Sequence, residues 1–277
     1  MTQLVELGSI SDLLDELAGP GEGLQILEQL IGPSASPVTV SREIARSATF
    51  AFRYKEARTG FVTPTGRKEA DGAFVGIPDL DHTLSFDQQF ETYFRQRLAA
   101  REEGFAVLFA ALAEQRHSPL VIETGCLRIP GNWAGDGQSS FLFDAWTRHN
   151  GGRFFSIDLL PESIETARRA CSSATNLICN DSVAALHAMS GLLREPATLI
   201  YLDSYDVQPA DPMPSAIHHA LELTAAWPFI GPGTLVCVDD YEIGTQQGGK
   251  GFIIDNFLHS IRAETLYSGY QKLWQVR

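Results

Sequence analysis

From Pro119 onward, apolar runs alternate with amphipathic ones, and the alternation predicts strands and helices in turn. PLVIETG reads as a buried strand and GQSSFLFDAWTRHN as a helix. RFFSIDL is a strand, and PESIETARRACSS a helix with Pro161 in its first turn. NLICND then SVAALHAMSGLL, ATLIYLD then PSAIHHALELTAAWPFI, and GTLVCVDD then KGFIIDNFLHSIR repeat the unit. The last stretch, AETLYSGYQKLWQVR, divides at Ser268-Gly269 into two short strands, and no helix fits between them. That pair must be antiparallel. Five βα units and a terminal hairpin give an α/β fold, a doubly wound sheet with one reversed strand.

Upstream the pattern is less regular. SISDLLDELAG and EGLQILEQLIG have helical spacing and stop at Gly19-Pro20 and Gly32-Pro33. SREIARSATFAFRYKEARTG is read as a further helix, and TGFVTPTGRKEADGAFVGIPDLDHT as a loop or irregular hairpin. Arg53, Lys55, Arg58, Arg67 and Lys68 make a local basic excess there, either a solvated face or a lid for an anionic substrate. Residues 1–84 form an accessory segment for lid, substrate or dimer contacts, so a homodimer is one expectation. Ser85 caps one long helix, SFDQQFETYFRQRLAAREEGFAVLFAALAEQRH, whose Phe86, Phe90, Tyr93, Phe94 and Leu98 stripe belongs to the core.

Composition narrows the partners. The formal net charge of -13 repels nucleic-acid backbones and anionic membranes, so neither is expected as a partner. No apolar run approaches the roughly 20 residues that span a bilayer. Cys126, Cys171, Cys179 and Cys237 show no CxxC spacing, which suits a reducing cytoplasm, and the N-terminal segment has no signal-peptide pattern.

The chemistry gathers at strand ends, where open α/β sheets bind ligands. TLIYLDSYD ends in Asp203, and GTLVCVDDYE ends in Asp239-Asp240. Neighbouring strands lie about 5 Å apart. Adjacent tips would crowd three carboxylates, which calls for a cation, raised pKa values or open water. A hard divalent ion is the reading taken; strand-end acids that are merely solvated or cap a helix are the alternative.

The first strand ends at Glu123 and leads into ETGCLRIPGNWAGDGQSS. Gly125 permits close approach of the backbone to a ligand, and the helix opening at Ser139 offers free N–H groups. There is no GxGxxG. Asp158, ending the second strand, is the expected acceptor for two ribose hydroxyls. Asp181 and Ser182, after the third, reach an adenine edge or cap the next helix.

This ordered set, over residues 85–277, resembles the class I S-adenosylmethionine-dependent methyltransferases. The resemblance implies a seven-stranded sheet of order 3-2-1-4-5-7-6 with one antiparallel strand. Within that family, Asp203, Asp239 and Asp240 match the acids of metal-dependent O-methyltransferases of the catechol and macrocin types. It therefore implies S-adenosylmethionine and Mg²⁺, or another divalent cation, as cofactors. The substrate would be a small hydroxylated molecule: a sugar, a polyketide glycoside or a catechol-like diol. Asp203 would both ligate metal and neighbour the cofactor's amino-acid end.

Two departures stand out. LRIPGNWAGD lengthens the first loop, and Asp206 stands where the catechol type has a lysine base. Candidates for the base are Asp206, His218, His219 and Lys250; adjacent helical histidines diverge by about 100°, so at most one faces the site. Metal-independent methylation, an NAD-dependent oxidoreductase and a non-catalytic binding module are the competing readings.

Overall fold

The computed structural model describes residues 80–277, apart from 116, 117, 192, 194, 209, 210, 244 and 245. Nearly all of the accessory segment, with its basic residues, lies outside the described residues.

Seven strands form one sheet: β1 Leu120–Thr124, β2 Arg153–Asp158, β3 Asn176–Cys179, β4 Leu199–Leu202, β5 Leu235–Val238, β6 Glu264–Ser268 and β7 Lys272–Gln275. Their order is β3-β2-β1-β4-β5-β7-β6. Only β7 runs against its neighbours, pairing antiparallel with β5 and β6. This is the order that the family resemblance implied, with the single reversal read from the terminal hairpin. β1, β4 and β5 are buried along their whole length, which is why they read as continuous apolar runs.

Alternate residues of each central strand feed two cores. Val121, Tyr201 and Cys237 face an aromatic layer built with α1 (Phe86–Gln89), α2 (Glu102–Ala113), α4 (Ser139–Asn150) and α5 (Pro161–Ala170). There the Phe143 ring lies 5.1 Å from Tyr201 and 5.8 Å from Phe154. Ile122, Ile200 and Val236 face an aliphatic layer built with α6 (Ser182–Met189), α7 (Met213–Ala226) and α8 (Phe252–Ser260).

The stretch from Ser85 is not one helix. Ser85 does start it with a reciprocal capping box to Gln88. A π-helical turn at Phe90–Phe94 and 3-10 turns at Arg95–Arg97 and Ala99–Arg101 then break the ladder before α2. Ala99 sits at φ 51°, in the left-handed region, so no continuous helix passes through it. The aromatic stripe is nonetheless core: Phe86, Phe90, Phe94 and Leu98 are buried. The inserted loop after β1 also folds inward. Its short helix α3, Trp133–Asp136, buries Trp133 against Phe94 at 5.6 Å between rings.

Candidate active site

Parallel pairing of β4 with β5 sets Leu202 opposite Val238, so both strands release their acids at the same level. Asp203 N–H still donates to Thr124 O at 2.9 Å, and Asp239 N–H to Leu202 O at 3.2 Å. Asp203, Asp239 and Asp240 each offer an oxygen within 4.8 Å of the others.

Two cations of the chain already fill this cluster. The Arg101 fork donates Nε to Asp239 Oδ2 at 2.9 Å and Nη2 to the same oxygen at 2.7 Å, with Nε also 3.0 Å from Oδ1. Its Nη1 donates to the Ala134 carbonyl at 3.1 Å, and its carbon lies 4.6 Å over the Tyr270 ring. Arg101 and Asp239 are 4% and 0% exposed, so the pair is fully withdrawn from water. Lys250, 1% exposed, donates to Asp203 Oδ1 and lies 3.0 Å from Asp240 Oδ2. Gly249 makes this possible: at φ 39° it passes so close to Asp240 that a Cβ would lie 1.9 Å from its carbonyl oxygen. Burial works against the Lys250 ammonium, but Asp203, Asp240 and Asp239 outweigh it and raise its pKa above the ordinary lysine value. Lys250, a base candidate in the sequence, thus lies against Asp203 and Asp240 and is not in the wall of the neighbouring cavity.

Against a divalent ion, the oxygen spacing fits but the surroundings do not. Ligand oxygens lie about 2.0–2.6 Å from such an ion. Both Asp239 oxygens sit in the guanidinium fork, and an ammonium stands between Asp203 and Asp240. As arranged, the residues do not accept the ion that the resemblance implied.

Beside the cluster lies a cavity of about 430 Å³. Asp203, Asp240, Arg101, Arg128, Asp206 and Tyr270 are in its wall, with Gln208, Val207 and Ile243. Asp206 is exposed and takes Arg128 Nη1 on both oxygens, at 3.0 and 2.9 Å. The inserted loop therefore meets the segment after β4 across this cavity. Burial pushes the Tyr270 hydroxyl up, and its bond to Asp240 adds to the shift.

The turn after β1 lies on the other side of Asp203. Gly125, at φ 80°, packs on β4 so tightly that a Cβ would lie 2.4 Å from Asp203 O. Asp158 receives Cys126 N–H at 3.0 Å on one oxygen and Leu160 N–H at 2.8 Å on the other, leaving each a second lone pair. Glu123 is buried at the base of this turn, and its Oε2 accepts from Ser140 at 2.6 Å and from Ser156. Burial raises its pKa to about 7 against those hydroxyl bonds. Its Oε1 has no partner. Ser139 opens α4, whose first turn has no side-chain cap.

Asp181 caps α6, accepting Ala184 N–H at 2.9 Å. Ser182 sets its hydroxyl 3.1 Å from His218 Nε2. His218 and His219 both meet Glu222 of α7, at 3.3 and 3.9 Å, and neither lines the cavity. Glu222 is completely buried and also accepts from Ser204 at 2.6 Å and Thr124 at 3.1 Å. Burial favours the neutral acid, but the histidines and hydroxyls outweigh it, and the Glu222 carboxyl is held below its usual range. Burial lowers His219 to about 4. Arg101, Glu222 and Tyr270 were not singled out from the sequence. The signal for Arg101 was its place in an apolar spacing, Phe94, Leu98, Arg101, Phe105, Leu108, where a charge needs a buried partner.

No family model matches the chain, and no curated protein matches it in sequence. Among solved structures it is similar to the MycE methyltransferase of mycinamycin biosynthesis, in complex with Mg and SAH, at 12% identity and TM-score 0.45, over 63% of this chain. The match spans 49% of the MycE chain, about half its length. It is similar to a Bacillus cereus O-methyltransferase in complex with SAH at 17% identity and TM-score 0.44, over 73% of this chain and 93% of that one. CalS11, a TDP-rhamnose 3'-O-methyltransferase of calicheamicin biosynthesis, is similar at 13% identity and TM-score 0.44, over 68% and 86%. Likeness at this level assigns neither activity nor substrate. No helix among the described residues is long and apolar enough to cross a membrane.

Proposed function

We propose that the chain transfers a methyl group from S-adenosylmethionine to a hydroxyl of a small polar molecule. The observation that carries this reading is the turn at Gly125, pressed between Asp158 and Asp203 where the strand order reverses from β1-β2 to β1-β4. In open sheets that crevice is where an adenosine-type ligand lies. Asp158 has the spare lone pairs to accept two ribose hydroxyls, and the orphaned Glu123 Oε1 and uncapped α4 terminus add polar groups beside it. Asp181 is the side chain for the adenine edge, a role that coexists with its cap.

The bound donor supplies a methyl on sulfonium, already a good leaving group. The chain's own part is to orient and to accept a proton. The cavity wall of Arg101, Arg128, Asp206, Gln208 and Tyr270 suits a polyhydroxylated substrate such as a sugar or a glycoside. Asp203 and Asp206 are the cavity carboxylates proposed to receive the hydroxyl proton; His218, engaged with Ser182 and Glu222, is not. No step is assigned to a divalent ion.

Calorimetric titration with S-adenosylhomocysteine and with NAD tests the reading. Binding of the former alone is expected, and Asp158→Ala should weaken it by about 1.5–3 kcal/mol, the range for a hydrogen bond to a charged group. Binding of NAD alone, or an Asp158→Ala variant with parental affinity, contradicts it.

A further inference from the structure

We propose that the Lys250 ammonium is the resident cation of the acid cluster, standing where a divalent ion would bind, so that the site excludes the ion. The exclusion follows from position. An ion drawing one oxygen from each of Asp203, Asp239 and Asp240 must sit about 2.0–2.6 Å from all three. Nζ is 3.0 Å from Asp240 Oδ2 and closer still to Asp203 Oδ1, so the two cations would occupy the same few ångströms. They compete; they do not join.

Lys250 is also anchored there. It follows Gly249, whose backbone is pressed onto Asp240, and its own N–H donates to Asp240 O at 3.3 Å. The Nζ has a third contact, 3.5 Å from Asp203 O, beside those to Asp203 Oδ1 and Asp240 Oδ2. An ammonium displaced from this place would stay buried without a carboxylate, a costly state. Arg101 is likewise paired with Asp239. The two cations so meet the three carboxylates beside the cavity. The exclusion of the ion does not rest on the proposed function.

The test uses the full-length protein. Wild type and Lys250→Met are dialysed against Mg²⁺ and Mn²⁺, analysed for metal content, and titrated with Mn²⁺ by electron paramagnetic resonance. Wild type should retain substoichiometric metal. Lys250→Met, relieved of a cation a few ångströms from the ion, should bind Mn²⁺ on the order of a hundredfold more tightly. A stoichiometric ion in wild type, or equal Mn²⁺ affinity in both proteins, overturns the proposal. Should Lys250→Met fail to fold, the metal content of wild type decides alone. S-adenosylhomocysteine binding measured on the same samples separates the two ideas: metal exclusion without ligand binding rejects methyl transfer and leaves the resident cation standing.

Discussion

Two buried polar clusters sit behind the carboxyl edge of the sheet, and they meet negative charge with different groups. At the β4 and β5 tips, three carboxylates are met by full cations, Arg101 and Lys250. On α7, the single carboxylate of Glu222 is met by the hydroxyls of Thr124 and Ser204 and by His218, whose charged form its hydrogen bond favours. The first cluster borders the cavity through Asp203, Asp240 and Arg101; the second does not reach it. The contrast teaches that charge is concentrated where a ligand can meet it, while the support behind is held by hydrogen bonds.

The largest expected effect breaks the first cluster. Arg101→Met strands Asp239 in a dry interior, and loss of one partner of a buried pair costs about 3–5 kcal/mol. Urea unfolding should show a loss of that size, with much of it recovered in the Arg101→Met/Asp239→Asn double variant. A loss below about 1 kcal/mol would mean the pair is not buried as described.

Glu222→Gln probes the second cluster. The amide turns an N–H₂ toward hydroxyl and imidazole donors, which costs about 1–3 kcal/mol for the groups left unpaired. The effect should be smaller than that of Arg101→Met by the same assay. A larger one would erase the distinction between the two clusters.

The finest effect is in pH dependence. Burial holds Glu123 protonated up to about 7, against 4.5 for an ordinary glutamate. The folded state binds the extra proton between those values, so this group makes stability fall as pH rises through them. Burial lowers His219 from 6.5 to about 4, so the unfolded state binds the extra proton there and stability rises with pH. The two slopes oppose each other between pH 4.5 and 6.5. Glu123→Gln should leave a steeper rise across that window than wild type, and His219→Gln a fall, in urea midpoints. Variants that keep the parental slope would contradict the burial of these groups.

The sheet was legible because its central strands are buried on both faces and so spell apolar runs ended by acids. The adjacency of Asp203 and Asp239 came with the strand order that the family resemblance implied. Their neutralisation did not. Arg101 and Asp239 are 138 residues apart, and only the broken helix around Ala99 brings the guanidinium to the strand tip. Lys250 was noticed as a loop residue, but its burial depends on the close approach of Gly249 to Asp240, which no pattern of residue types reports. The paired histidines were legible as a divergence problem; their shared partner Glu222 was hidden in the apolar face of α7.

The central claim is that this edge holds a methyl donor with the cluster balanced by the chain's own cations. The most direct measurement is calorimetric titration of the full chain with S-adenosylhomocysteine in EDTA and again in excess Mg²⁺. Saturable binding of equal affinity is expected in both. Binding that disappears in EDTA, or no binding in either buffer, would contradict it.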